Sequence, residues 1–146
     1  MDIKVIEKIA HRMRDSIKAI PREQLPFPMS SFPIGACGDA SLLLGAYLVD
    51  CGYHNFLYIS GERGTYTDNS WTSHAWVAKG ELVIDITADQ FADAPASVIV
   101  ASPSAWHQQF EIESSSPSDF RVWSGMGIDH LRVMYAKLEP FLFPVT

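Results

Sequence analysis

The sequence predicts an α+β domain in which an N-terminal helix and a second helix, opening at Cys37, pack on an antiparallel β-sheet. Three observations carry this. Ile3, Ile6, Ile9, Ala10, Met13, Ile17 and Ile20 recur at helical spacing. Cys37, Ala40, Leu44, Tyr47, Leu48 and Cys51 fall on a second helical stripe. The β-rich runs 71–78 and 81–87 are separated only by Lys79-Gly80, which predicts a hairpin. At 146 residues the chain reads as a single domain, 1–146, without repeats.

In the first helix Lys4, Glu7, Lys8, Arg14, Asp15 and Lys18 occupy the polar side, and Pro21 ends it. Pro26, Pro28 and Pro33 then keep the connection extended, because each disfavours helix at the residue before it. The second helix is expected over 38–51, with Cys37 at its first turn and Gly52 as its stop. A buried strand at 56–60 leads into a polar loop over 61–70 that carries two glycines, Asp68 and Asn69. After the hairpin come a short strand at 97–101, a Ser/Pro loop at 114–118 and a closing helix from about 129 to 139.

The balance of 11 basic against 17 acidic residues, a net charge of −6, argues against nucleic acid and against an anionic membrane as partners, since both reward basic patches. Two cysteines are too few for a disulfide scaffold and fit a reducing compartment. The charged N-terminus lacks the apolar run of a signal peptide. The expected location is the cytoplasm; delivery by a specialised secretion system leaves no sequence trace to oppose this.

A two-residue loop at Lys79-Gly80 pairs Ala78 with Glu81, Trp76 with Val83 and His74 with Asp85. Opposed residues on one face have Cβ atoms about 4.5–5.5 Å apart, close enough for an imidazole to donate to a carboxylate. A carboxylate behind a histidine selects its tautomer and stabilises the imidazolium, which leaves the other ring nitrogen to take a proton from a nucleophile. Cys37 is the candidate, because a thiol at a helix N-terminus meets the positive end of the macrodipole. The free N–H groups there, around Ala36 and Cys37, are candidates to receive an oxyanion. Asp39 opposes thiolate formation unless it points elsewhere, and as a first-turn acid it is expected to cap or to bind a loop.

Gly35-Ala36-Cys37-Gly38-Asp39-Ala40-Ser41, Ser73-His74-Ala75-Trp76-Val77 and Asp85-Ile86-Thr87, in this order, resemble the transglutaminase-like core of the papain-like cysteine hydrolase superfamily over about residues 33–90. The resemblance implies that Cys37 is the nucleophile, His74 general base and then acid, and Asp85 the orienting group. It also implies a papain-like or transglutaminase-like fold and amide-bond hydrolysis through a thioester on a peptide or protein substrate, in the manner of a cysteine protease. Protein-glutamine deamidation or acyl transfer by the same triad, and a non-catalytic binding module on the same fold, are the alternatives. Papain carries a glutamine six residues before its cysteine, where this chain has Ser31.

Trp76 shares the face of His74 and either shields the ion pair or walls a substrate groove. Gln90 follows the triad strand closely enough to reach the site, or else starts a helix or turn. Trp71, Trp106 and Trp123 line the cleft or fill the core. Cys51 lies on the core stripe and reads as packing, and about 21 Å along the helix separates it from Cys37, too far for a disulfide. His11, His54, His107 and His130 lack metal-ligand spacing, so no metal and no cofactor is expected.

Overall fold

The computed structural model describes residues 1–145, Met126 by its backbone alone. Three helices, α1 (Ile3–Ala19), α2 (Cys37–Asp50) and α3 (Asp129–Leu142), accompany five strands: β1 (Leu57–Arg63), β2 (Thr72–Lys79), β3 (Leu82–Asp85), β4 (Ile99–Ala101) and β5 (Glu111–Pro117). The strands form one antiparallel sheet in the order β4-β3-β2-β1-β5. The architecture is α+β, as the sequence predicts. Among the described residues no helix is long and apolar enough to cross a membrane.

Asp2 caps α1 by accepting the Lys4 N–H at 2.9 Å, and the helix buries its isoleucine stripe. Arg14, expected on the polar side, is instead buried. Its guanidinium holds the Ile86 carbonyl at 2.7 Å and clasps Asp89 through two bonds of 2.8 Å, which together satisfy the charge. α2 is apolar on nearly every side and packs on β2 of the sheet as well as on α1 and α3. It stops where Gly52 predicts: Gly52 takes φ +92°, its N–H bonds Val49 O at 2.9 Å, and the Tyr53 N–H bonds Leu48 O at 2.8 Å. A side chain at Gly45 would run into the Ser118 backbone, so glycine there lets α2 approach the chain that follows β5.

The hairpin forms, but its register differs from the expected one by two residues. Lys79 pairs with Leu82, Ala78 with Val83 and Val77 with Ile84. The turn is therefore Gly80-Glu81, with Gly80 at φ +57° in the first central position, where a II′-like turn needs glycine. An even shift preserves faces, so His74 and Asp85 still share one, now as diagonal neighbours. β1 runs to Arg63, further than expected, and the loop before β2 spans 64–71. The expected loop at 114–118 is an error, since Ser114–Pro117 belong to β5, an exposed edge strand whose serines carry no apolar alternation. α3 runs three residues past the expected end at 139, through Pro140, because Leu138 and Leu142 both anchor it in the core.

The two faces of the sheet serve different layers. Val77, Leu82 and Ile84 face the helices in a largely aliphatic core. Ile59, Trp76, Ala78 and Val83 face the other way, beneath the segment 88–110 that contributes Trp106 and Phe110.

Candidate active site

β3 pairs only with Val77–Lys79, so the leading half of β2 has no ladder partner on that side. His74 and Ala75 lie there, and there Cys37 and Gln90 reach them. Cys37 is the first residue of α2 and is half-buried. Ala40 makes the first helical bond, onto Ala36 O at 2.8 Å, so the N–H groups of Cys37, Gly38 and Asp39 have no backbone partner among the described residues. Ala36 is a poor oxyanion donor, because its own N–H points to Pro33 O at 3.3 Å.

The His74 side chain is wholly buried, and its Nε2 lies 2.6 Å from Asp85 Oδ2. An ionised carboxylate only accepts, so Nε2 carries the proton and Nδ1 is turned to Gln90 and Cys37. The Gln90 amide nitrogen stands 3.1 Å from Nδ1, and Gln90 closes a short 3-10 turn, Ala88–Gln90, so the turn brings its side chain to the imidazole. Burial alone pushes the Cys37 thiol up. Hydrogen bonding and charge from His74, with further hydrogen bonds from the Ala75 N–H and the Gln90 amide, outweigh it and hold the thiol below 9.0. Burial disfavours the His74 imidazolium, yet Asp85 and Cys37 raise its pKa to about 9. Burial likewise opposes the Asp85 charge, and donors from His107 and His74 overcome it to hold the carboxyl far down.

Asp39 does not cap α2. Its Oδ2 lies 2.8 Å from His130 Nε2 on α3, so the carboxylate is engaged by another helix. The Tyr58 hydroxyl sits on the same end of α2, 3.2 Å from where a Cβ of Gly38 would stand. Its pKa is raised by burial and then by the charges of Cys37 and Asp39. Trp123 meets Tyr58 edge-on at 5.9 Å, while Trp71 stacks on Tyr66 at the exposed loop and donates to Glu62 at 2.8 Å.

Trp76 is buried and packs 5.8 Å from the His74 ring, so it shields the ion pair. Phe91, Trp106 and Phe110 surround the same imidazole at 5.0, 5.9 and 5.9 Å. The Arg63 guanidinium lies over all three rings and is fixed by Asp93 through two bonds of 2.8 Å.

The residue that sequence spacing missed is His107. Its Nε2 lies 2.7 Å from the same Asp85 oxygen, and its Nδ1 bonds the Ser104 hydroxyl at 2.6 Å. The available signal was Asp85 itself: a carboxylate inside an apolar run has more acceptor sites than one imidazole fills. The ligand-type atoms of His74, Asp85 and His107 lie within 4.8 Å of one another. Contacts of 2.6 and 2.7 Å are those of charge-assisted hydrogen bonds. A tetrahedral zinc ion with bonds of about 2.0–2.1 Å would spread its donors to about 3.3 Å.

Comparison of the chain with protein-family models, with curated proteins and with solved structures gave no match.

Proposed function

We propose that the chain is a cysteine hydrolase of the transglutaminase-like, papain-like kind, which cleaves amide bonds in a peptide or protein through a thioester on Cys37. The observation that carries this reading is the fully buried His74–Asp85 pair at 2.6 Å, which leaves Nδ1 to a thiol held below its ordinary pKa at the start of α2.

The Cys37 thiolate attacks the carbonyl carbon, and the developing oxyanion is received at the α2 N-terminus by the Cys37 N–H, with the Gln90 amide as the side-chain donor. His74 passes its Nδ1 proton to the leaving amine, so the C–N bond breaks as the S–C bond is retained. Water then attacks the thioester; His74 takes its proton, and collapse returns the thiolate and a carboxylic acid product. An amine in place of water makes the same intermediate an acyl-transfer step, and a glutamine side chain as donor makes the hydrolysis a deamidation.

Alkylation by iodoacetamide across pH 4 to 9, read by peptide mass with Cys51 as internal control, tests this. Cys51 is the proper control because burial pushes its thiol up. Expected is rapid labelling of Cys37 well below the ~8.5 of an ordinary thiol, lost in His74→Ala. Labelling of both cysteines along one ordinary thiol titration would overturn the reading.

A further inference from the structure

A single oxygen of Asp85 accepts from two imidazoles, and only one of them faces the thiol. His74 Nε2 lies at 2.6 Å and His107 Nε2 at 2.7 Å, while the other oxygen accepts the Thr87 N–H at 2.9 Å and its hydroxyl at 3.4 Å. We propose that His107, braced by Ser104, is a positioning residue that holds the Asp85 carboxylate ionised and aimed at His74, and so governs the state of Cys37 without touching substrate. The link to Cys37 rests on the hydrolase reading above; the grip on Asp85 does not.

His107 is built for this role. It arrives from a separate element, the 3-10 turn His107–Gln109, with the Ser104 hydroxyl 2.6 Å from Nδ1 and the His107 N–H returning to that hydroxyl at 3.4 Å. The hydroxyl, which can give or take a hydrogen bond at Nδ1, holds the ring so that its Nε2–H faces the carboxylate, which can only accept. Trp76 and Trp106, each 4.8 Å from the ring, hold its plane. The other charges near this chamber are engaged: Arg14 with Asp89, Arg63 with Asp93, and His74 with Asp85 and Cys37. Among the described residues only His74, His107 and Thr87 donate to the Asp85 side chain. A buried carboxylate that loses one of so few donors becomes harder to ionise. Once neutral, it no longer stabilises the imidazolium.

The test is the pH titration of the Asp85 carboxyl carbon, followed by NMR on full-length protein labelled with 13C in aspartate, for the unmodified protein, His107→Phe, His107→Gln and Ser104→Ala. Phenylalanine fills the ring's space without a donor; glutamine supplies an N–H. Expected is a flat Asp85 signal from pH 3 to 7 in the unmodified protein and a midpoint raised by more than about one pH unit in His107→Phe, tenfold or more in proton affinity. His107→Gln should restore most of that, and Ser104→Ala should show a smaller rise of the same sign. It also stands in for His107→Phe if that variant does not fold. In the same proteins the acid limb of Cys37 alkylation should move up in parallel. An Asp85 midpoint unmoved in His107→Phe, or in Ser104→Ala where Phe fails to fold, overturns the proposal and leaves His107 as packing. Ordinary thiol behaviour of Cys37 in the unmodified protein, with the Asp85 midpoint still responding to His107, instead overturns the hydrolase reading and upholds the grip on Asp85.

Discussion

Ile84 and Asp85 are neighbours in β3, each about 1% exposed, and they face opposite layers. Ile84 points into the aliphatic core with α2, where any apolar side chain of the right volume would keep the fold. Asp85 points into the aromatic layer, where it needs His74, His107 and Thr87 in place to be tolerated at all. One face of the sheet is held by non-directional burial, which survives substitution by degrees. The other is held by directional bonds to a single carboxylate, which fail together. The proposed chemistry would draw on the face where geometry is strict.

Breaking the strict face should have the largest consequence. Asp85→Asn replaces an acceptor that serves two N–H donors and should lower amide-bond turnover by about 10⁴-fold, the loss known for the analogous change in a serine triad. Turnover within tenfold of the unmodified protein would mean that the aromatic layer serves packing alone. Ile84→Ala should cost about 2–5 kcal/mol in urea unfolding. The separation of the two layers requires that the pH profile of Cys37 alkylation stay where it was. A shifted profile would show that the faces are mechanically coupled. Gln90→Ala removes the proposed side-chain oxyanion donor and should reduce kcat by about 10²-fold, with only a small upward shift of Cys37 labelling, because Gln90 is the least of the groups that lower the thiol. Equal losses in labelling and kcat would assign Gln90 to the thiol instead.

The smallest effect concerns pH and stability. The His74 pKa rises from 6.5 to about 9 on folding, so its contribution is complete below 6.5 and disappears as pH rises through about 9. The stability difference between the unmodified protein and His74→Gln should therefore shrink across that interval, as chemical denaturation at several pH values would show. A difference independent of pH would mean that the folded imidazole is not the charged partner of Asp85.

Much of the aliphatic layer was legible because its causes are local. The isoleucine stripe of α1, the apolar body of α2 and the stop at Gly52 each follow from a few consecutive residues. The site was legible in part: His74 and Asp85 share a face under either register, since both errors and corrections of two residues keep parity. The register itself turned on whether Gly80 stands first or second in the turn, and its positive φ requires the first place of Gly80-Glu81. β5 was hidden because an edge strand with most of its side chains in water shows no period. Arg14 was misplaced because its partners, Asp89 and Ile86, lie more than 70 residues away. His107 was missed for the same reason, as nothing around it in sequence points to Asp85.

The Asp39–His130 bond and the His107 bond to Asp85 have a consequence for the order of synthesis. Cys37, His74 and Asp85 leave the ribosome early, but the partner of Asp39 and the second imidazole donor to Asp85 come from residues 130 and 107. In the proposed scheme a chain that stops short of these residues carries the nucleophile, His74 and Asp85 without the bonds that His107 and His130 add. In that scheme the site is fully bonded only once the segments carrying His107 and His130 have docked.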